Sequence, residues 1–542
     1  MDKKIINNTD NIVIVGGGSA GWMTAATLIK FFPNKTITVL ESPDIPTIGV
    51  GESTLGQIRN WTNALGIDEN DFLPYTNGSL KLGIKFKDFY KKGEEPFYYP
   101  FGDSFFNDSS PLGYNSWYLH KVLNPEIPVQ DFARTYIPAM ALIESNRYND
   151  NLNGEFDSFR PEKDVAYHFD AVKFAEWLRE RYAVPRGVIH KLGTVQKVNL
   201  CEEGISSLTL IDGSTVEADL FVDCTGFRSL LLGDALKEPF NSFEDVLPNN
   251  RAWAVQIPYV DKEKELEPYT SCTAIENGWV WNVPLWSRIG TGYVYCDKYV
   301  DPETALEEFK RHLVSKNMTI ADKNRINDDL NYRDLHFKVG MYKRGWVKNV
   351  VAIGLSAAFS EPLESNGLFT VHEFLFMLCK TLQRDKITQW DRDVYNSATR
   401  GIYENFTEFI ALHYALSQRD DTPYWKDISN RSFSKSLTNY IPSHTSTIHS
   451  LSQSKMFDQK YYPGTGTPFI ATGMNYFPID KETVNRWELH TGDNFPALNE
   501  YFLRTRTPLV EKWKNNAEQS STLYGYLLNK YYVESYLKEQ NE

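Results

Sequence analysis

Apolar and polar positions change period several times along this chain, and each change predicts an element. Ile12 to Val15 form a short apolar run rich in β-branched residues, as in a strand buried on both faces. The run ends in glycines, and Ala20 to Phe31 then reads as a helix. A second strand is predicted at Thr36 to Leu40. The stretch Ser42 to Thr54 holds two prolines and two glycines and predicts a shaped loop, with Ser53 or Thr54 capping a helix to about Leu65. From Ile84 the pattern alternates: Ile84 and Phe86 on one face, Lys85 and Lys87 on the other. That is a half-buried strand, and Lys81 lies just before it between Leu80 and Leu82. Residues 95 to 145 are aromatic and read as loop-rich, a pocket wall or ordinary core.

Further on, Ala171 to Tyr182 predicts a helix. Strands follow at Val195 to Leu200, Ser206 to Leu210 and Asp219 to Val222, with a turn at Asp212-Gly213. This meander runs into Asp223-Cys-Thr-Gly and is expected to form a second βαβ-like segment closing over the first. Residues 251 to 300 alternate like an antiparallel sheet. Asn349 to Gly354 reads as a buried strand ending in glycine, and Leu368 to Gln383 as a helix. From about 388 the chain reads as mostly helical or irregular.

Strand, glycine turn and helix together make a dinucleotide-binding entry. Gly16, Gly18 and Gly21 stand at G-x-G-x-x-G spacing, with Ser19 and Ala20 opening the helix. Such a turn lets backbone approach a pyrophosphate at a helix N-terminus. Glu41 follows Gly21 by about twenty residues, where an acid suits a ribose 2′-hydroxyl and disfavours a 2′-phosphate.

Charge and cysteine usage narrow the field. The net charge is -13 and no basic run stands out, which argues against nucleic acid as the main ligand. The five cysteines are odd in number and form no C-x-x-C, so reduced thiols and a cytoplasmic location are expected. No signal-peptide core and no apolar run near the ~18 residues of a membrane span is present. No metal site is predicted.

The motifs then converge. Trp279-Val-Trp281-Asn-Val-Pro284 resembles the W-x-W-x-I-P motif of flavin-dependent halogenases of the tryptophan-halogenase type, with Val283 in place of Ile. Ser79-Leu-Lys81 resembles the segment carrying that family's active-site lysine. Pro362-Leu-Glu364-Ser365-Asn366-Gly367 resembles the loop carrying its glutamate and halide contacts. The glycine turn running into Trp22, Gly49-Val-Gly-Glu-Ser-Thr54, Ala166-Tyr-His-Phe-Asp170, Asp223 to Arg228 and Arg419 to Trp425 also match, so the likeness covers most of the chain. Beyond the glycine turn, the cofactor residues it suggests are Gly51, Glu52, Ser53, Val195, Asp223 and Gly354.

The resemblance implies an α/β fold of the FAD-binding, Rossmann-like, glutathione-reductase type, with an inserted antiparallel sheet. Residues 1–390 would form the FAD-binding core. Residues 391–542 would form a mainly helical part contributing to the substrate pocket. It implies FAD received reduced, as FADH2, from a separate reductase, with halide (bromide, iodide or chloride) and O2 as co-substrates. A flavin hydroperoxide would oxidise the halide, and Lys81 and Glu364 would deliver electrophilic halogen to a small electron-rich aromatic substrate, an indole or related arene, tryptophan among them. A flavin-dependent aromatic monooxygenase on the same fold is the alternative. Homo-oligomerisation stays open.

Residue chemistry supports these roles. Lys81 can donate to the oxygen of a hypohalous acid or carry halogen on its amine, and its apolar neighbours favour a neutral amine. Glu364 can take the ring proton. Backbone N–H groups around Ser365, Asn366 and Gly367, at a helix start, suit a halide. Trp279 and Trp281, two apart on a strand, share a face and would wall the flavin from the substrate. Two departures bear on specificity. Asn366 replaces the family's usual Ser or Thr, and Tyr99, next to Phe101 in the aromatic loop, stands where tryptophan-specific members often carry His. The tail resembles theirs only faintly, best at Phe469-Ile-Ala-Thr-Gly-Met-Asn-Tyr-Phe-Pro478.

Overall fold

The first apolar run lies inside a six-stranded sheet of the computed structural model, as the strand Asn11–Val15. The structure describes residues 9–45, 51–105, 113–150, 154–326, 330–431, 466–476, 481–482, 484–485, 494–534 and 537. Of the motif residues above, Gly49, Val50, Phe477 and Pro478 lie outside the described residues. Thr36–Glu41 and Leu220–Asp223 flank Asn11–Val15, both parallel to it. Ile189–Leu192 and Val350–Ala352 extend the sheet in parallel, and Trp346–Val347 ends it antiparallel. Alternate residues of the central strand feed different cores. Ile12 and Ile14 pack with Trp22, Met23 and Ala26 of the helix Ser19–Phe31, while Val13 and Val15 pack with Phe221, Leu231 and Val350. A period of two in a strand buried on both faces requires this division.

The meander departs from expectation. Val195–Cys201, Gly204–Leu210 and Thr215–Val216 form their own three-stranded antiparallel sheet, bridging Ile189–Leu192 and Leu220–Asp223 in the chain. The return strand does not build a second βαβ-like segment. It joins the first sheet directly beside Asn11–Val15.

The alternating region 251 to 300 is an antiparallel sheet, as read. It belongs to a seven-stranded sheet in the order Arg333–His336, Arg251–Ile257, Ile289–Tyr295, Gly278–Pro284, Tyr269–Ala274, Gly83–Lys87, Phe97–Pro100. Tyr269–Ala274 and Gly83–Lys87 run parallel, and the other neighbours are antiparallel. A small three-stranded sheet sets Ala166–Phe169 between Glu52–Ser53 and Ser79–Lys81. One apolar core runs from Ile12 and Trp22 through Phe86 and Trp279 to Phe406 and Trp513, on the long helices Gln389–Ala415 and Phe495–Gln519.

Two further expectations are corrected. Ser53 and Thr54 do not cap a helix: Glu52–Ser53 pairs as a strand, Thr54 Oγ1 donates to Tyr167 O at 2.9 Å, and the helix begins at Ile58. Residues 95 to 145 are more regular than read, with the strand Phe97–Pro100 and the helices Tyr114–Leu123, Gln130–Tyr136 and Ala139–Ser145. Their rings face one another as well as the core, which blurs the helical period. Lys81 lies just before the strand Gly83–Lys87, as read, and itself ends the short strand Ser79–Lys81.

Candidate active site

The glycine turn is built by exclusion. Gly16 has φ +118°, and a Cβ there would stand 2.2 Å from Cys224 O; a Cβ on Gly21 would stand 1.9 Å from Gly16 O. Only glycine lets strand, turn and helix close this tightly. The helix Ser19–Phe31 starts after Gly18 with no side-chain cap, so its first N–H groups remain available to an anion. Gly354, at φ +72°, comes to this end too: its Cβ would lie 2.9 Å from Ala20 Cβ. Ser19 Oγ donates to Ala171 O at 3.3 Å.

Glu41 folds back over the turn, so that a Cβ on Gly17 would meet its carboxylate carbon at 2.1 Å. Its Oε2 lies 2.8 Å from His190 Nε2, and His190 packs edge-on to Trp22 at 5.1 Å. Val195 is reached through Gly193, whose N–H donates to Glu41 O, and Thr194, whose hydroxyl bonds Ser42 Oγ at 2.8 Å. Asp223 is fully buried and its carboxylate is occupied. It accepts from Thr225 N and Oγ1 and from Leu231 N and Leu232 N. Asp223 therefore shapes the loop beside the turn, and its carbonyl accepts from Ile353 N at 3.0 Å. Gly51, at φ +114°, packs near Val283 and Leu285. Burial pushes the neighbouring Glu52 carboxyl up to about 7. These groups fit an adenine dinucleotide: a glycine cradle no Cβ could enter, an uncapped helix and an acid at the end of the neighbouring strand.

The second cluster lies where the small sheet meets the Pro362–Gly367 loop. Ser79 and Lys81 share one face of their strand, opposite His168 and the small Ala166. Lys81 is 0% exposed. Its Nζ donates to Thr54 O at 2.9 Å and to Ser365 Oγ at 2.8 Å, and lies 5.0 Å from the Phe101 ring centroid. Burial pulls the ammonium down to about 7, with Glu364 and then Cys272 opposing the shift. A buried ammonium that lost one of these acceptors would pay roughly 1–3 kcal/mol.

Glu364 is also 0% exposed and ends a short turn, Pro362–Glu364, ahead of the helix Gly367–Leu382. Burial raises its carboxyl, while His413 and Lys81 oppose the rise. Its Oε1 lies 2.9 Å from His413 Nε2, yet neither atom completes an aligned hydrogen bond. The carboxylate keeps lone pairs to offer. His413 Nδ1 lies 3.2 Å from both Phe409 O and Ile410 O, which fixes a hydrogen on that nitrogen.

In the loop, Ser365 adopts a left-handed φ of 56° and its N–H donates to Pro362 O, so this N–H is committed. Asn366 is buried and turned inward: Nδ2 donates to Ser360 Oγ at 2.6 Å and Oδ1 has no partner. Beside Gly367 a Cβ would meet nothing within 4 Å, so open space adjoins the helix start.

Trp279 and Trp281 lie on one face of Gly278–Pro284, their centroids 6.1 Å apart. Gly292 makes room for Trp281, since a Cβ there would stand 2.2 Å from its ring. Glu361 anchors Trp279. Its buried Oε2 accepts from Trp279 Nε1 (3.1 Å), Asn249 Nδ2 (2.9 Å) and Tyr414 OH (2.6 Å). On the other side of Lys81, Tyr99 stacks on Phe469 at 6.2 Å and meets Phe101 edge-on at 5.5 Å. A cleft bounded by Leu55, Gly56, Tyr99, Phe101, Gly102 and Asp164 leads in from the surface.

Sequence reasoning missed His413, Glu361 and Thr270, which carried no local pattern. It quoted His168 within a motif and gave it no role.

A glycine turn at an uncapped helix start, a buried lysine and glutamate and a paired-tryptophan strand belong together in a flavin-dependent halogenating enzyme, which uses reduced FAD, O2 and halide. Comparisons with known proteins agree. The tryptophan halogenase family model matches residues 11–482, and the chain belongs to that family. It is 38% identical over 455 residues to tryptophan 6-halogenase of Streptomyces toxytricini, covering 80% of this chain and 83% of that one. Among solved structures, VirX1 in its apo form superposes with a TM-score of 0.85 at 34% identity, covering 97% of this chain and 100% of that one. A flavin-dependent halogenase of Brevundimonas gives 0.82 at 29% identity, with 96% and 100% covered. Among the described residues no helix is long and apolar enough to cross a membrane.

Proposed function

We propose that Lys81 delivers halogen as a hydrogen-bond donor and that Glu364 is the base that receives the ring proton of a small indole or related arene. The observation that carries this reading is the setting of Lys81. Its two fixed partners, Thr54 O and Ser365 Oγ, are both acceptors, so a third N–H is free to meet an oxygen in the pocket. Reduced FAD, O2 and halide supply hypohalous acid on the far side of the tryptophan wall. Lys81 holds its oxygen and withdraws charge from it, leaving the halogen electrophilic. The arene lies along Phe101 and Tyr99. Glu364, kept short of a full hydrogen bond by the poor alignment with His413, takes the proton as aromaticity returns. Trp279 and Trp281 keep the arene from the flavin side, which disfavours the monooxygenase alternative.

The pocket walls are aromatic, and the charged groups at the cleft mouth are already engaged. Asp103 pairs with Lys163 at 2.9 Å and with Arg160, and Asp164 Oδ2 accepts from Arg160 N. Such a site gains little from an amino-acid zwitterion. We therefore expect simple indoles to react at least as well as free tryptophan, although relatives bear the name tryptophan 6- and 7-halogenase. Phe409 and Phe469 support a contribution of residues 391–542 to this pocket. A separate flavin reductase supplies the reduced cofactor in this reading, and the protein is placed in the cytoplasm.

The test is an arene panel with purified protein, FAD, a generic reductase and halide, read by mass spectrometry. A halogen isotope pattern on indoles is expected; a gain of one oxygen would favour the monooxygenase. Lys81→Ala should lose arene halogenation while still oxidising reduced flavin and releasing hypohalous acid. Full halogenation by that variant would leave free hypohalous acid as the agent and end the proposal for Lys81.

A further inference from the structure

His168 lies at the centre of the small sheet, opposite both Ser53 and Ser79. It is 0% exposed, and both ring nitrogens are bonded: Nδ1 to Ser79 Oγ at 3.3 Å and Nε2 to Thr270 Oγ1 at 2.9 Å. The direction of these bonds follows from one fixed point. Ser79 has a single hydroxyl hydrogen, and it is given to Pro284 O at 2.5 Å. Ser79 Oγ can then only accept from His168, so Nδ1 carries a hydrogen. Burial and the nearby Lys81 cation both disfavour a charged ring at His168. In the neutral ring the other nitrogen, Nε2, is a bare acceptor.

The remaining bonds fall into line. Thr270 donates to His168 Nε2. Thr270 Oγ1 therefore accepts from Ser53 Oγ at 2.6 Å, and Ser53 Oγ accepts from Ser365 Oγ at 3.0 Å. Ser365, its only hydrogen spent on Ser53, presents a lone pair to Lys81 Nζ at 2.8 Å. The chain runs one way, from Lys81 to His168 and on to the carbonyl of Pro284.

We propose that His168 is a positioning residue whose bare Nε2 polarises this chain and so holds the proton on Lys81. This rests on the reading of Lys81 as a donor. With the imidazole in place, Ser365 cannot turn its hydrogen towards Lys81 and stabilise the neutral amine. Without it, the three hydroxyls can reverse together, and burial of the ammonium is no longer opposed by the Ser365 acceptor. The other titratable groups facing this region are Glu52 on the neighbouring strand, Cys272 on Tyr269–Ala274, and Glu364 with His413 from the loop side. Arg288 and Asp170 pair at 2.7 Å at the end of the middle strand.

The test reads Lys81 itself, in the ligand-free protein, by NMR titration of ε-carbon-labelled lysines, with Lys81→Met assigning the signal. His168→Phe removes the terminal acceptor. Thr270→Val, nearly isosteric, cuts the chain in its middle, and Thr270→Ser restores the hydroxyl. The expected result is a Lys81 midpoint lower by roughly one pH unit in His168→Phe and in Thr270→Val, and restored in Thr270→Ser. An unmoved midpoint in Thr270→Val overturns the proposal, whether or not His168→Phe folds. The pH profile of single-turnover halogenation is measured beside it. A Lys81 midpoint that moves while the halogenation profile stays would uphold the chain and instead refute the donor role of Lys81.

Discussion

At the scale of single residues, burial sets the chemistry. Lys81 carries its proton below about 7 and loses it above. If the ammonium is the working form, arene halogenation should fall as pH rises through that value, whereas flavin reoxidation measured without arene should not follow it. A halogenation rate still climbing through pH 8 would point to the amine. Asn366 bears on the halide. Turned inward onto Ser360, it leaves an unpartnered carbonyl oxygen near the open space at Gly367, a poor companion for a strongly hydrated anion. Bromide and iodide are also easier to oxidise than chloride. With the three halides at equal concentration, brominated or iodinated product should dominate; mostly chlorinated product would refute this. Asn366→Thr should raise the chlorinated fraction, and an unchanged ratio would clear Asn366 of any part in selectivity.

At the scale of elements, the loop from Glu361 to Gly367 couples the Trp279–Trp281 pair to Glu364, the proposed base. Glu361→Ala would take the shared acceptor from Trp279, Asn249 and Tyr414 at once, leaving Asn249 Nδ2 only Tyr414 OH at 3.2 Å, at a cost of roughly 3 kcal/mol, against about 1 kcal/mol for Tyr414→Phe. Urea unfolding compares the two, and equal losses would show that Glu361 is no anchor. The elements differed in how far the sequence disclosed them. The strand at Ile12 and its glycine turn were legible because β-branched residues and glycines act locally, through φ and packing. Ser79 and Lys81 were legible as a motif, and their shared face follows from a period of two. The helices at 114 to 145 were hidden because their aromatic residues pack on several sides. His168, Thr270, Ser53 and Ser365 could not be joined in advance. Their hydroxyls and ring come from separate strands and a loop, and only tertiary register brings them within hydrogen-bond reach.

At the scale of the whole molecule, distant segments close on the lysine strand. Tyr532 OH shares its one hydrogen between Leu73 O at 2.9 Å and Gly78 O at 2.8 Å, just ahead of Ser79. Trp286 stacks on this ring, at 4.0 Å, and lies parallel to Tyr524, at 5.5 Å, with Lys262 Nζ over its face at 3.3 Å. Truncation after Ser520 should therefore spare FAD affinity, whose cradle is remote in sequence and built on the first sheet. It should remove most arene halogenation. Retained halogenation would show that the clamp is dispensable.

The same clamp orders events during synthesis. Gly78 and Tyr532 are 454 residues apart in the chain. The ribosome makes the first sheet's opening strands and the lysine strand well before the clamping tyrosine. A nascent chain thus has the lysine strand long before it has the segment that seats it.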